Sequence, residues 1–228
     1  MTTPESQVHA DEARLADRRG ITLTQVATRF VRHPSPWLLG ALLAAATAAR
    51  VLAGDWRLSD AWLPPLMLAV FPFFEWTVHI AILHWRPQRW GRFTIDPLLA
   101  RKHREHHADP RDVPLVFIPW QALLWLLPAY TAAGLLLFPR LALGLTFLVT
   151  VGALGLCYEW THYLIHSDYR PRSRIYRAVW RNHRLHHYRN EHYWFTVTSS
   201  GTADRILGTY ADPQTVAPSP TAKALHST

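Results

Sequence analysis

Ten of the fourteen histidines in this chain fall in four short stretches: His79 and His84; His103, His106 and His107; His162 and His166; and His183, His186 and His187. The spacings read H-x4-H, H-x2-H-H, H-x3-H and H-x2-H-H. Neutral imidazole is the commonest biological metal ligand and suits iron, zinc, copper and nickel. On an α-helix His162 and His166 share a face. The three histidines of each H-x2-H-H fall within one sector of roughly 100°. One helical turn can thus present three imidazoles, with one or two reaching each of two metals. His79 and His84 lie about 140° apart on an ideal helix. They need a helix end, a π-bulge or two metals to serve one centre. The count suits a pair of metals with about five nitrogen ligands each, leaving open positions for oxygen or substrate.

Each cluster alone has a plainer explanation. H-x3-H at a membrane interface is often polar capping, and one H-x2-H-H in a basic stretch can be lipid contact or coincidence. All four in this order are hard to explain that way. His9, His33 and His226 fall in expected loops or tails and read as bland. His192 reads as an eleventh ligand, a substrate contact or a surface residue, with the last two favoured. Cys157 is the only cysteine and lies in an apolar run, which excludes an intramolecular disulfide and a thiolate metal site.

The elements that must carry these histidines are membrane-like. The chain has 228 residues, enough for one domain or two small ones, with 49% apolar and only 18% charged residues. Four long apolar stretches run over about 36–54, 62–83, 114–138 and 141–165. A spanning helix needs ~20 apolar residues, so each is long enough or nearly so. Arg50 lies near the end of the first and is placed to snorkel. Pro64, Pro65, Pro72, Pro119 and Pro128 should kink or delimit the helices. Short links, Gly54–Asp60 and Pro139–Arg140, join the stretches in pairs, so the expected fold is all-α, with four transmembrane helices as two hairpins. Each link carries one Arg (Arg57, Arg140), whereas seven Lys or Arg follow each hairpin, in 85–113 and in 167–189. The positive-inside rule then puts both termini and all four histidine motifs on the cytoplasmic side. Each half repeats weakly: a hairpin, a spaced His pair, then H-x2-H-H.

The net charge of +8 fits anionic lipid headgroups better than nucleic acid, since the basic residues flank apolar runs and no nucleic-acid motif is present. No cleavable signal peptide is visible, so insertion should rest on the spans. Residues 1–20 are expected to be disordered. Residues 21–32 are expected to form an interfacial amphipathic helix with Ile21, Val26, Phe30 and Val31 near one side, ended by His33-Pro34-Ser35-Pro36. The domain plan is therefore 1–35 (tail and interfacial helix), 36–210 (the membrane domain) and 211–228 (a disordered tail).

The order of the four histidine motifs resembles the fatty acid hydroxylase/sterol desaturase superfamily of integral-membrane non-haem diiron enzymes. The stretch Asn190-Glu191-His192-Tyr193-Trp194-Phe195, followed by Asp204 and Gly208-Thr209, is similar to that family's tail. The likeness covers about residues 60–210. It implies a helical membrane anchor under a cytosolic cap, two Fe ions held by the ten histidines, O2 as co-substrate, and attack on a C–H bond of a fatty-acyl or related lipid. Zinc would occupy the same imidazoles in purified protein. Second-shell carboxylates usually orient metal-bound histidine, and Glu75, Glu105, Glu159 and Asp204 are candidates. A lipid tail is expected in a slot lined by Trp76, Trp160, Tyr163 and Trp194. With no fused cytochrome b5-like, flavin or ferredoxin segment in the sequence, electrons would come from a separate ferredoxin or cytochrome b5-like protein docking on the Arg-rich face.

A lipid hydroxylase is the leading reading. A sterol or fatty-acyl desaturase uses the same type of centre and is the close alternative, separable by product mass. A divalent-metal transporter would place ligands near the bilayer midplane, not at one end of the helices. A bis-His haem protein would need far fewer histidines and would show a Soret band.

Overall fold

Proline and glycine set the ends of the long helices. In this computed structural model, which describes residues 21–170 and 172–226, α1 (Leu23–Phe30) begins at a capping box between Thr22 and Gln25. The expectation for residues 1–20, His9 included, lies outside the described residues. Helix α2 (Pro34–Ala53) starts with prolines in its first turn, where a missing N–H costs nothing, and stops at Gly54, whose φ of 58° suits glycine. A 3₁₀ turn (Leu58–Trp62) leads into α3 (Leu63–Val78), which continues as a π turn over His79–Leu83. Next come α4 (Leu98–Ala108), the short α5 (Val113–Val116), α6 (Trp120–Leu136), α7 (Leu141–His166), α8 (Arg174–Tyr188) and α9 (Thr202–Ile206). Four helical stretches, Pro34–Ala53, Leu58–Leu83, Val113–Leu136 and Leu141–His166, are long and apolar enough to cross a membrane. Large apolar side chains such as Leu66, Leu68 and Trp125 stand exposed on their flanks, as lipid-facing residues would.

The fold is mostly helical, not wholly so. Two short strands, β1 (Gln88–Trp90) and β2 (Phe93–Ile95), pair antiparallel between the π turn and α4. Gly91 at φ 59° makes the tight turn between them.

The spans do not pair simply with their neighbours in sequence. α6 packs on α7, but α2 lies chiefly along α7 and scarcely touches α3. Small residues explain both contacts. A Cβ added at Gly144 would sit 1.8 Å from the Gly134 carbonyl oxygen, and one at Gly152 would sit 3.0 Å from the Leu43 Cβ. Without those hydrogens-only positions, neither α6 nor α2 could approach α7 so closely. At the end of the bundle away from the histidines, Arg140 pairs with Asp55 at 2.8 Å and also with Asp60, and Arg50 lies 3.5 Å from Asp60. Arg50 does not snorkel to water. It is buried and also donates to Thr146 Oγ1 at 3.0 Å. This network ties together the two links that the sequence assigned to separate hairpins.

Helix α1 also differs from expectation. Val26 and Phe30 are buried, and Phe30 packs against Phe117, Trp160 and Tyr163. Its apolar face is covered by protein, while Val31 stays exposed.

Candidate metal centre

The π turn solves the problem of the five-residue spacing. The His84 amide donates to the His79 carbonyl at 2.9 Å, a five-residue bond, and the extra residue brings the two rings to 5.0 Å between centroids. His79 and His84 then converge with His103, His107 and His186. A second group forms from His106, His162, His166, His183 and His187. Within each group the candidate ligand atoms all lie within 4.8 Å of one another. The H-x2-H-H motifs thus divide. The first and last histidines of each serve one group, four apart on one helix face, and the middle one crosses to the other. The His107 and His187 rings, from different groups, lie only 4.2 Å apart and tilted to one another, so the two groups share a wall.

The tautomers of three rings make the first group fit for a cation. His79 Nδ1 donates to the Phe195 carbonyl at 2.6 Å, His107 Nδ1 to the Ala222 carbonyl at 2.8 Å and His186 Nδ1 to the Tyr193 carbonyl at 2.8 Å. A carbonyl only accepts, so each of these rings carries its proton on Nδ1 and turns a lone pair on Nε2 inward. His79 Nε2 and His107 Nε2 both face His103 Nε2, at 3.0 and 3.1 Å. In the second group His183 Nε2 faces His162 Nε2 at 3.1 Å and His187 Nε2 at 3.0 Å. Two nitrogens bound at right angles to one metal at about 2.1 Å would be roughly 3.0 Å apart. A proton on His103 Nε2 or on His183 Nε2 can bridge to only one of its two neighbours, so a cation suits the three converging nitrogens better. Neither group contains a thiolate or carboxylate, which leaves imidazole as the only donor. Burial holds His84, His103, His106, His183, His186 and His187 well below the usual imidazole range and pushes His107 down to about 3, so all enter as neutral ligands.

The profile of the fatty acid hydroxylase family matches residues 64–209, which includes all ten histidines. The chain belongs to the fatty acid hydroxylase family. Among solved structures, full-length scs7p, of which only the hydroxylase domain is visible, superposes with a TM-score of 0.65 at 21% identity, covering 81% of this chain and 70% of that one. At that identity the likeness concerns the fold. No curated protein matches the chain.

In this hydroxylase-family chain the carboxylates do not bond the histidines directly. Backbone carbonyls do, and two of the carboxylates hold the loop that supplies the Phe195 carbonyl. Asp204, fully buried, accepts from the Phe195 amide at 2.8 Å, the Thr196 amide at 3.0 Å and the Thr209 hydroxyl at 2.7 Å. Glu75 accepts from the Thr198 amide at 3.2 Å and its hydroxyl at 2.8 Å. Both therefore act on His79 through the 194–198 loop. Glu159 instead accepts from the Ile118 amide at 2.7 Å, filling the break between α5 and α6. Glu105 is a surface partner of Lys102 at 2.6 Å and is corrected out of the candidate set.

The four aromatics expected to line a lipid slot lie away from the apolar cavity. Beneath the first group, a cavity of about 620 Å³ opens among α3, α6 and α7, lined by residues such as Val70, Phe74, Leu127, Phe147, Val151 and Leu154. It reaches Glu75, His79 and Phe195. Trp76, Trp160, Tyr163 and Trp194 are absent from its wall. Trp76 donates to the Thr209 hydroxyl at 2.9 Å, and Trp194, held at φ 58°, donates its amide to the Thr209 carbonyl at 3.0 Å, so both serve the loop. Trp160 and Tyr163 pack on α1.

The segment from Asp212 onward is not a free tail. Ser219 N donates to the Arg189 carbonyl at 2.7 Å, and Ala222 and Leu225 are buried. The Ala222 carbonyl holds His107, and His226 Nε2 donates to the His84 carbonyl at 3.0 Å. Glu191, missed as a separate candidate, is 2% exposed and accepts from the hydroxyls of Ser219 at 3.0 Å and Thr221. Its place inside the family-like Asn190–Phe195 stretch was the available signal. His192 is exposed, 3.5 Å from Glu191, and His33 stacks on Phe117 at 4.0 Å, away from the metal groups.

Proposed function

We propose that this chain is an O2-dependent hydroxylase of membrane lipids, working at two histidine-bound irons on a C–H bond of a fatty-acyl or related lipid. The observation that carries the reading is the apolar cavity within the spans that ends at His79. Family membership supports hydroxylation as the reaction class. A pair of irons in the two groups would supply O2 activation and hydrogen abstraction from an unactivated carbon. The chain's own residues do the rest. Val70, Phe74, Leu127 and their neighbours solvate an alkyl chain and exclude water from it. Phe195 and Tyr193 carbonyls fix the ring orientation of His79 and His186. Each buried imidazole stays neutral and so keeps its lone pair for the metal.

The density of Lys and Arg in 85–113 and 167–189 supports a cytoplasmic position for the histidine groups. It also supports a separate acidic electron donor, a ferredoxin or cytochrome b5-like protein, approaching from that side.

The test is lipid mass spectrometry of cells carrying the intact gene, the gene with His183→Ala, or no gene. A lipid that gains one oxygen only with the intact gene is the expected result. Loss of two hydrogens would assign desaturation instead. An unchanged lipid profile with an electron donor supplied would sink the reading.

A further inference from the structure

A second cavity, of about 210 Å³, adjoins the first histidine group at His84 and is lined by His84, Arg86, Glu191, His192, Thr221, Leu225 and His226. Three observations connect it to the metal groups. His84 is the one member of the first group that is not fully buried, and it is the member that lines this cavity. Glu191 Oε2 is buried and has no hydrogen-bond partner among the described residues. The 212–226 segment forms one wall of the cavity through Thr221, Leu225 and His226, fastened by the Ser219 and Thr221 hydroxyls on Glu191 Oε1, by the Ala222 carbonyl on His107 and by His226 on the His84 carbonyl. This segment lies beyond residue 209, where the family match ends.

We propose that residues 212–226 are a latch across a metal port, and that divalent cations reach and leave the histidine groups through this port. The inference rests on the metal reading above. The lipid cavity is an unfavourable route, because a bare or hydrated cation would have to cross an apolar wall. The port offers donors in series instead: the imidazoles of His192 and His226, the Glu191 carboxylate, then His84. Arg86 in the wall disfavours a cation, and Glu191 with the two imidazoles provides the attraction that draws it in. Closing the latch orients His107 and shuts the port in one movement, because Ala222 and Thr221 are neighbours on one short segment.

The full-length chain in detergent, loaded with Co2+ alone, tests this through its visible absorption. Excess EDTA is added and loss of the signal is timed. A Ser219→Ala/Thr221→Val double variant should release Co2+ at least about tenfold faster than wild type, since two hydrogen bonds to a carboxylate are gone. Thr221→Ser, which keeps the hydroxyl, should release it at the wild-type rate. In the reverse direction, a His192→Ala variant, which leaves every latch contact in place, should take up limiting Co2+ several-fold more slowly. Wild-type release from the latch variant, or wild-type uptake by the port variant, would overturn the proposal. If the latch variant folds poorly, the uptake arm decides alone. A wild-type chain that binds no Co2+ would overturn the metal reading itself, and the port with it.

Discussion

Asp204→Asn is the sharpest probe of the loop that orients the first group. The change preserves shape and removes one acceptor. In the native chain one carboxylate oxygen accepts from the Phe195 amide and the Thr209 hydroxyl, and the other from the Thr196 amide and hydroxyl. An asparagine can satisfy only one of the two backbone amides with its oxygen. Its NH2 must then face the other N–H, leaving a buried donor unpaired at a cost of about 1–3 kcal/mol. The hydrogen bonds that remain lose the charge that roughly doubles their strength. The total, about 2–5 kcal/mol, falls on a loop whose Phe195 carbonyl fixes His79 Nδ1. Changes to groups that orient metal-bound histidine typically weaken metal affinity about 10–100-fold. Competition for Co2+ or Zn2+ against a chelator of known affinity measures this directly. The affinity loss should appear with the helical circular dichroism intact and should be confined to one of the two bound metals. An Asp204→Asn protein that holds both metals with wild-type affinity would refute the claim that Asp204 works through the Phe195 carbonyl.

Four further outcomes are expected. His103→Ala and His183→Ala each remove the nitrogen that faces two others in its group, so each should lower bound metal from about two per chain to about one by elemental analysis; full occupancy in either would dismiss the division into two groups. The buried imidazoles titrate below their unfolded value of about 6.5, and His107 near 3. The stability they confer is therefore present above about pH 6.5 and lost as pH falls toward the folded values, so the melting temperature should drop between pH 7 and pH 5; a flat profile would contradict the neutral-ligand assignment. Leu154→Trp should fill part of the 620 Å³ cavity and cut lipid product about tenfold or more while metal content holds, whereas undiminished product would move the substrate elsewhere. Gly144→Val should abolish stable expression, because its Cβ would fall 1.8 Å from the Gly134 carbonyl oxygen; a normally folded variant would show that α6 and α7 do not need their close contact.

The histidine chemistry was legible because ligand spacing is local: His162 and His166 share a face on any α-helix, and so do the outer members of each H-x2-H-H. The π turn at His79 was foreseeable only as one of several options, since the residues His79–Leu83 carry no π signature of their own. The wall of the apolar cavity was not legible because it is built of ordinary aliphatics. Leu127 and Val151 look like any lipid-facing residue, whereas conspicuous aromatics such as Trp160 were spent on packing α1. The order of the 212–226 segment was invisible for a related reason. Its attachments are a carbonyl and small hydroxyls, so composition alone gives no core pattern. Span pairing was misjudged because short links imply adjacency in sequence, while Gly152 admits a more distant helix.

The exchange of middle histidines between groups has a consequence for biosynthesis. The first group lacks its fifth nitrogen until residue 186 has been made, and the second draws on residue 106 but otherwise waits for residues 162–187. No fragment that stops after the first H-x2-H-H, and no fragment that starts after it, contains a complete set. Any metal that fills both groups would therefore enter after nearly the entire chain has been made, with the His107 and His187 rings already brought to 4.2 Å. Two metals held in these groups would act as staples between distant parts of the polypeptide, so that losing either would loosen both halves of the site at once.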